Sequence, residues 1–328
     1  MNSFGRLFRV SIFGESHGSS VGIILDGVPA GIKLSKEDFY TDLQRRKPGS
    51  KGTTTRVEAD EPLIESGLFN GYTTGSPLMI RFLNQNTKSK DYSIFKEMPR
   101  PSHADYVASN KYNGYEDYRG GGHFSGRLTT CLVAAGVVAK KIIDAKYETK
   151  IINLGGECDP TKFDFIISKV SEAGDSVGGI VEIKITNVPK FIGEPYFDSV
   201  ESVISHALFS VGAVKGVEFG LGFEGASLLG SEFNDTIINK DGVTKTNNNG
   251  GINGGITNGN DIIIKVFVKP TPSIFKAQET YNFNTNKLDV LQIEGRHDAA
   301  IILRAMVVLE AMCAISLADL YLVGKAYK

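Results

Sequence analysis

The chain has 328 residues, with 36 Lys+Arg against 37 Asp+Glu and a formal net charge of −1, so it has no global basic footprint for binding nucleic acid or an anionic membrane surface by bulk electrostatics. With 41% apolar and 22% charged residues, its composition is that of a globular protein with enough apolar length for a large core, which excludes a disordered or collagen-like chain. Glycine is the departure: 37 residues, against roughly 7% in average usage, imply many positions of positive φ or close backbone approach.

In chain order, Phe8, Val10 and Ile12 alternate with polar residues, and Val21, Ile23 and Leu25 alternate again. This predicts two strands around the loop Gly14-Glu15-Ser16-His17-Gly18. Ser35 with Asp38 three residues on resembles a capping box, and Phe39 and Leu43 mark the buried side of a helix ending at Arg45-Arg46-Lys47-Pro48-Gly49. From Asn84 to Gly126 the chain is polar and rich in glycine and proline, too long and irregular for a plain connector and therefore a functional segment. Leu128, Cys131, Leu132, Ala135, Val138 and Ile142 repeat at helical spacing directly after Gly120-Gly121-Gly122. Val181–Ile185 and Ile262–Val268 read as strands, Val200–Phe209 as a helix, and Ala299–Val323 as a long, largely buried helix. Strands and helices mix without regular βα alternation, and the class predicted is α+β. No linker of distinct composition divides the chain, which reads as one domain over residues 1–328.

Cys131, Cys158 and Cys313 are odd in number and lack a C-x-x-C pair, which argues against a disulfide framework or zinc knuckle. The N-terminal residues have no apolar leader core, and Arg304, Glu310 and Asp319 interrupt the most apolar stretch. A soluble, cytoplasmic protein with no membrane partner is expected.

Two motifs mislead. Gly14-Glu15-Ser16-His17-Gly18 fits G-x-S-x-G, but a hydrolase nucleophile elbow needs a helix directly after the serine, and here a strand is predicted. Gly220-Leu221-Gly222-Phe223-Glu224-Gly225 fits G-x-G-x-x-G, yet only four residues separate Gly225 from Gly230, leaving no room for a pyrophosphate-binding helix.

Four of the five histidines, His17, His103, His123 and His297, stand in glycine- or proline-flanked loops. Arginine is scarce at 11 residues, with none between Arg127 and Arg296. Because guanidinium grips phosphate and carboxylate bidentately, Arg46, Arg100, Arg127 and Arg296 read as anion ligands. The triple glycine ahead of a helix with Arg127 in its first turn reads as a phosphate seat. The residues themselves thus indicate an enzyme acting on a polyanionic ligand, with imidazoles to move protons and Asp298 as orienter or base. A metallohydrolase, lacking any H-E-x-x-H pair, and a non-catalytic flavin- or nucleotide-binding module stay open beside it.

The segments Gly14–Gly18, Arg100-Pro101-Ser102-His103-Ala104-Asp105-Tyr106, Gly120–Gly122 with Ser125 and Arg127, Ala213–Glu218, Lys269-Pro270-Thr271 and Gly295-Arg296-His297-Asp298 together resemble the chorismate synthase family, in order and spacing along nearly the whole chain. The resemblance implies a β-α-β sandwich of antiparallel sheets between helix layers, a homotetramer, and a reduced-FMN-dependent 1,4-trans elimination of phosphate from 5-enolpyruvylshikimate 3-phosphate to give chorismate. It implies that His17 protonates the departing phosphate, that His103 sets the protonation of reduced flavin, and that Asp298 assists proton removal. By the same likeness Arg46, Arg100 and Arg127 hold substrate anions, while His123, Phe124, Ser125, Gly254, Lys269, Pro270, Thr271, Pro272, Ser273 and Arg296 form the flavin site. No metal is implied. Among the departures, His123-Phe124 stands where the family has Arg-Ser, and Gly52 replaces an arginine, with Lys51 beside it as a point charge. With no dinucleotide fingerprint in the chain, reduction of the flavin by an external reductant, rather than by this chain using NADPH, is expected.

Overall fold

The structure, a computed structural model, describes residues 1–49, 52–54, 58–86, 90–293, 295 and 297–327. Arg296 and Lys51, both singled out above, lie outside the described residues.

The first half supplies strands β1 (Ser3–Phe4), β2 (Arg9–Gly14), β3 (Ser20–Asp26), β4 (Leu63–Ser66), the small hairpin β5 (Leu68–Phe69) and β6 (Tyr72–Thr73), and β7 (Leu78–Leu83), with helices α1 (Glu37–Arg46), α2 (Asp105–Lys111) and α3 (Thr129–Lys140). After these come β8 (Lys146–Leu154), α4 (Phe163–Glu172), β9 (Gly179–Thr186), α5 (Val200–Phe209), β10 (Val214–Phe219), α6 (Gly230–Phe233) and the hairpin β11 (Ile252–Asn253) and β12 (Ile256–Thr257). Strand β13 (Ile262–Val268), the hairpin β14 (Gln278–Asn282) and β15 (Lys287–Leu291), and helix α7 (Ile302–Ala326) complete the chain.

Two antiparallel sheets, ordered β1-β2-β3-β7-β4 and β10-β13-β9-β8, form the outer layers. Helix α3 packs on β2, β3 and β7, while α7 packs on β8 and β9, and the two helices lie against each other between the sheets. The α+β class holds, with the helices inside and the sheets outside. Alternation explains the arrangement: Val21, Ile23 and Leu25 of β3 and Ile262, Ile264, Val266 and Val268 of β13 are fully buried, each contributing about 1.5–3 kcal/mol by leaving water. Helices trapped between two sheets must be apolar on most sides, as α3 and α7 are. At Gly136 the two helices meet so closely that an added Cβ would lie 2.4 Å from the Ala311 Cβ.

Helix α7 is 25 residues long, and an 18-residue stretch of it has mean hydropathy 1.9, enough by length and composition to cross a membrane. It is the core helix here, and its two buried carboxylates are partnered. Glu310 accepts from Arg45 Nη2 at 2.7 Å and Lys140 Nζ at 2.5 Å. One oxygen of Asp319 accepts the backbone N–H groups of Arg6, Leu7 and Phe8 at 2.8, 2.7 and 2.9 Å, which fixes the N-terminal segment on the core.

The polar stretch read from Asn84 to Gly126 contains a 3-10 segment, Lys90–Lys96, and the short α2, so it is more regular than its composition suggests. The Ser35 N–H donates to Asp38 Oδ2 at 2.7 Å, half of the expected box, and α1 begins at Glu37.

Candidate active site

A cavity of about 670 Å³ opens where the ends of α1 and α7, the glycine-rich loops and the segment after β13 converge. Such a volume suits a cofactor or drug-sized ligand. Three polar clusters border it.

The first is arginine-rich. Arg46, the last residue of α1, is buried and pairs through Nη1 with Asp60 Oδ2 at 3.3 Å, while its Nε donates to Thr129 Oγ1 at 2.9 Å and its Nη2 to the Gly126 carbonyl at 3.0 Å. Arg127, equally buried, pairs with the other Asp60 oxygen, and its Nε donates to Asn84 Oδ1 at 2.9 Å. Asp60 adopts φ 51°, a left-handed conformation uncommon outside glycine, and so places one carboxylate between two guanidinium groups. Arg304, in the first turn of α7, donates from Nη1 to both oxygens of Asp298 at 3.2 and 3.0 Å and from Nε to the Arg46 carbonyl at 3.0 Å. Burial, then the charge of Arg304, pushes Arg46 down to about 9 against the pull of Asp60. Three guanidinium groups, held in place by Asp60 and Asp298 and with Glu58 also on the lining, give this end of the cavity the groups that bind anions.

The second cluster surrounds His103. Arg100 Nε donates to Asp105 Oδ2 and its Nη2 to Asp105 Oδ1, both at 2.8 Å, a bidentate pair, and Nη1 reaches Ser273 Oγ at 3.0 Å. Its guanidinium also stacks on Phe95 at 4.3 Å. His103 Nδ1 lies 2.6 Å from Asp105 Oδ1, a separation that calls for a proton between them, so Nδ1–H donates and Nε2 is left as the titrating atom. Burial first, then the charge of Arg100, lowers the His103 pKa, with Asp105 opposing. Burial raises the Asp105 carboxyl, but Arg100 and His103 outweigh it and hold it well below the usual carboxylate range.

The third cluster consists of loops. Gly120, Gly121 and Gly122 take φ 61°, 80° and 52°, a run of left-handed backbone that only glycine adopts cheaply. The triple glycine forms its own turn. Ser125 then caps the 3-10 turn Gly126–Leu128, accepting from the Arg127 N–H, and α3 starts at Thr129. Arg127 is thus fixed by ion pairing one turn ahead of the helix, and the expected glycine seat at a helix start is replaced by this arrangement. Ser16 N–H donates to the Gly122 carbonyl at 3.1 Å, and His123 Nδ1 lies 2.8 Å from the Gly14 carbonyl while its Nε2 lies 3.1 Å from Asn2 Oδ1. The His17 loop and the triple-glycine loop are thereby joined.

Of the residues read from sequence, Arg46, Arg100, Arg127, His103, His123, Phe124, Ser125, Lys269, Thr271, Pro272, Ser273 and Asp298 line the cavity. His17 stands behind the wall, edge-on to the Tyr92 ring at 5.2 Å and against Gly120, both of which face the cavity. Pro270 lies between the lining residues Lys269 and Thr271 without lining the cavity itself. Gly254 is not brought there: it sits in the β11–β12 turn, where Val200 N–H donating to the Gly255 carbonyl at 3.0 Å pins the hairpin to α5. Asp60 and Arg304 escaped the sequence reading, Arg304 because it was read only as an interruption of an apolar helix. Gly-x-Ser-x-Gly is followed by β3, and Gly222 opens a short 3-10 turn after β10, so neither motif forms the site its pattern suggested.

The hydroxyl of Thr271 is buried with no hydrogen-bond partner among the described residues, although it borders the cavity. A buried donor without a partner costs about 1–3 kcal/mol, and a polar ligand here would satisfy it. Lys269 Nζ, held near by its bond to the Ser102 carbonyl at 3.1 Å, adds a cation. The segment Lys269–Ser273 therefore fits a phosphorylated or polyhydroxylated cofactor.

A family model described as chorismate synthase matches residues 8–322. The chorismate synthase of Chitinophaga pinensis is 55% identical over 324 residues, covering 98% of this chain and 97% of that protein. That of Pyrococcus abyssi is 46% identical over 341 residues, covering 96% of each. A solved structure described as the crystal structure of chorismate synthase superposes with a TM-score of 0.75 at 29% identity, covering 98% of this chain and 93% of that one.

Proposed function

The chain belongs to the chorismate synthase family, lyases of the shikimate pathway, and from that premise we propose that its cavity binds 5-enolpyruvylshikimate 3-phosphate beside reduced FMN and eliminates phosphate to leave chorismate. The observation that supports this most directly is the convergence of Arg46, Arg127, Arg304, Arg100 and Lys269 on one cavity, since a substrate with a phosphate and two carboxylates needs several fixed cations.

Lys269, Thr271 and Ser273, with Ser125 and His123 across the cavity, would hold the flavin. When bound, reduced FMN would supply electron density to the substrate ring. Arg46 and Arg127, oriented by Asp60, would bind and orient substrate anions. His17, packed against Gly120, would donate the proton that neutralises the departing phosphate. His103 Nε2, its ring fixed by Asp105, would hold or release a proton, and Asp298 would accept the proton lost from the ring. His103 kept neutral near pH 7 by burial suits a group that must take up a proton during turnover.

The exposed Phe191, Tyr196, Phe197 and Phe223 support assembly into the homotetramer that the family resemblance implies. The paired carboxylates within α7 support work in solution, in the cytoplasm. We propose that a separate reductant reduces the flavin.

The experiment is an anaerobic assay of phosphate release from 5-enolpyruvylshikimate 3-phosphate, with FMN and dithionite present or omitted. Release that requires reduced flavin is expected. No release with all components present would leave only a binding module, and release that ignores flavin but stops with a chelator would indicate a metallohydrolase.

A further inference from the structure

Arg304 lies at the meeting point of three elements. It stands in the first turn of α7, its Nη1 grips both oxygens of Asp298, and its Nε caps the last carbonyl of α1 at Arg46. The Asp298 carboxylate receives a second anchor from the Thr54 N–H at 2.9 Å, and the neighbouring Ala299 and Ala300 N–H groups donate to the Gly52 carbonyl at 2.8 and 3.1 Å. The side chains of Arg304 and Asp298 are only 19% and 13% exposed, so their attraction is weakly screened.

We propose that Arg304 is a positioning residue for the reaction: it fixes where the Asp298 carboxylate points and ties that carboxylate to the backbone carrying Arg46. The inference rests on the proposed role of Asp298 as proton acceptor. A carboxylate held by a guanidinium fork has one orientation instead of several rotamers, and such pre-alignment lowers the barrier without adding a contact to the substrate. Among the described residues, Arg304 is the charged group in hydrogen-bond contact with both oxygens of Asp298. Removing it frees the carboxylate to take other rotamers and the end of α1 to drift.

The test uses Arg304→Gln, Arg304→Lys and Asp298→Asn in the full-length protein. The readout is steady-state kinetics of the three variants. In Arg304→Gln kcat is expected to fall about 10- to 100-fold while the substrate KM stays within a factor of about three. Arg304→Lys, which keeps the charge without the fork, restores part of kcat and carries the test if Arg304→Gln does not fold. A kcat unchanged from the parent in both variants overturns the inference alone. A KM raised tenfold with kcat retained also overturns it, by showing that Arg304 binds substrate directly. A fully active Asp298→Asn enzyme overturns the inference together with the role assigned to Asp298.

Discussion

Gly120 and His17 approach so closely that a Cβ added to Gly120 would lie 2.5 Å from the imidazole Nε2 and 2.9 Å from Ser16 Oγ. The absence of a side chain at Gly120 is therefore a condition for the position of His17. Gly120→Ala is expected to cost about 1–3 kcal/mol of stability through its left-handed φ and, by displacing His17, to depress kcat. Gly121→Ala is the control: its φ is also left-handed, but its Cβ would come no closer than 3.8 Å to His103. Thermal melts and steady-state turnover of the two variants separate the backbone cost, which they share, from the loss of activity, which only Gly120→Ala should show in full.

His17→Ala removes the proposed proton donor and leaves the flavin segment Lys269–Ser273 untouched. Turnover is expected to fall by about 10²- to 10⁴-fold, the usual range for a general acid, with FMN affinity retained. Anaerobic phosphate-release rates and a flavin titration measure the two effects, and wild-type turnover in this variant would reject the assignment.

Asp60→Asn takes away the carboxylate shared by Arg46 and Arg127 and leaves two buried guanidinium groups facing each other. Breaking a buried ion pair in this way costs about 3–5 kcal/mol. Because phosphate can stand in for the missing anion, its addition should raise the melting temperature of the variant more than that of the parent. Equal shifts in the two proteins would show that these arginines do not receive anions.

His103 gives a stability signature with pH. Burial followed by the charge of Arg100 lowers its folded pKa below the ordinary 6.5, so between that lowered value and 6.5 the unfolded chain binds more protons than the folded one. The contribution is fully present above 6.5 and is lost as the pH falls through the folded value. Asp105, held down in the folded state after Arg100 and His103 outweigh its burial, adds a second loss at lower pH in the same direction. Denaturant melts should show stability falling below pH 6.5, with the first part of that fall absent in His103→Asn. A fall of equal size in the variant would assign it to other groups.

The local chemistry of the chain fixed a good deal by itself. Alternating Val21-x-Ile23-x-Leu25 and Ile262-x-Ile264-x-Val266 cannot bury one face except as strands, and a stretch as apolar as Ala299–Val323 must be covered on all sides, so α+β with a buried C-terminal helix followed directly. Arginines and histidines flanked by glycine and proline pointed to loops that border the cavity, because a side chain near a bend has no packing role to explain it. Tertiary structure alone decided how those loops meet. Asp60 follows no pattern and acquires its role from a left-handed backbone that sets it between Arg46 and Arg127, groups 14 and 67 residues away. Arg304, read along the chain, is an interruption in an apolar helix, and only the fold sets it between Asp298 and the Arg46 carbonyl at the end of α1. Conversely, Gly254 matches its expected pattern and still sits in a hairpin pinned to α5. Ion pairing and close approach depend on distance in space, which sequence spacing does not encode beyond a helical turn or a strand pair, and so many residues that line the cavity were legible while their partners were not.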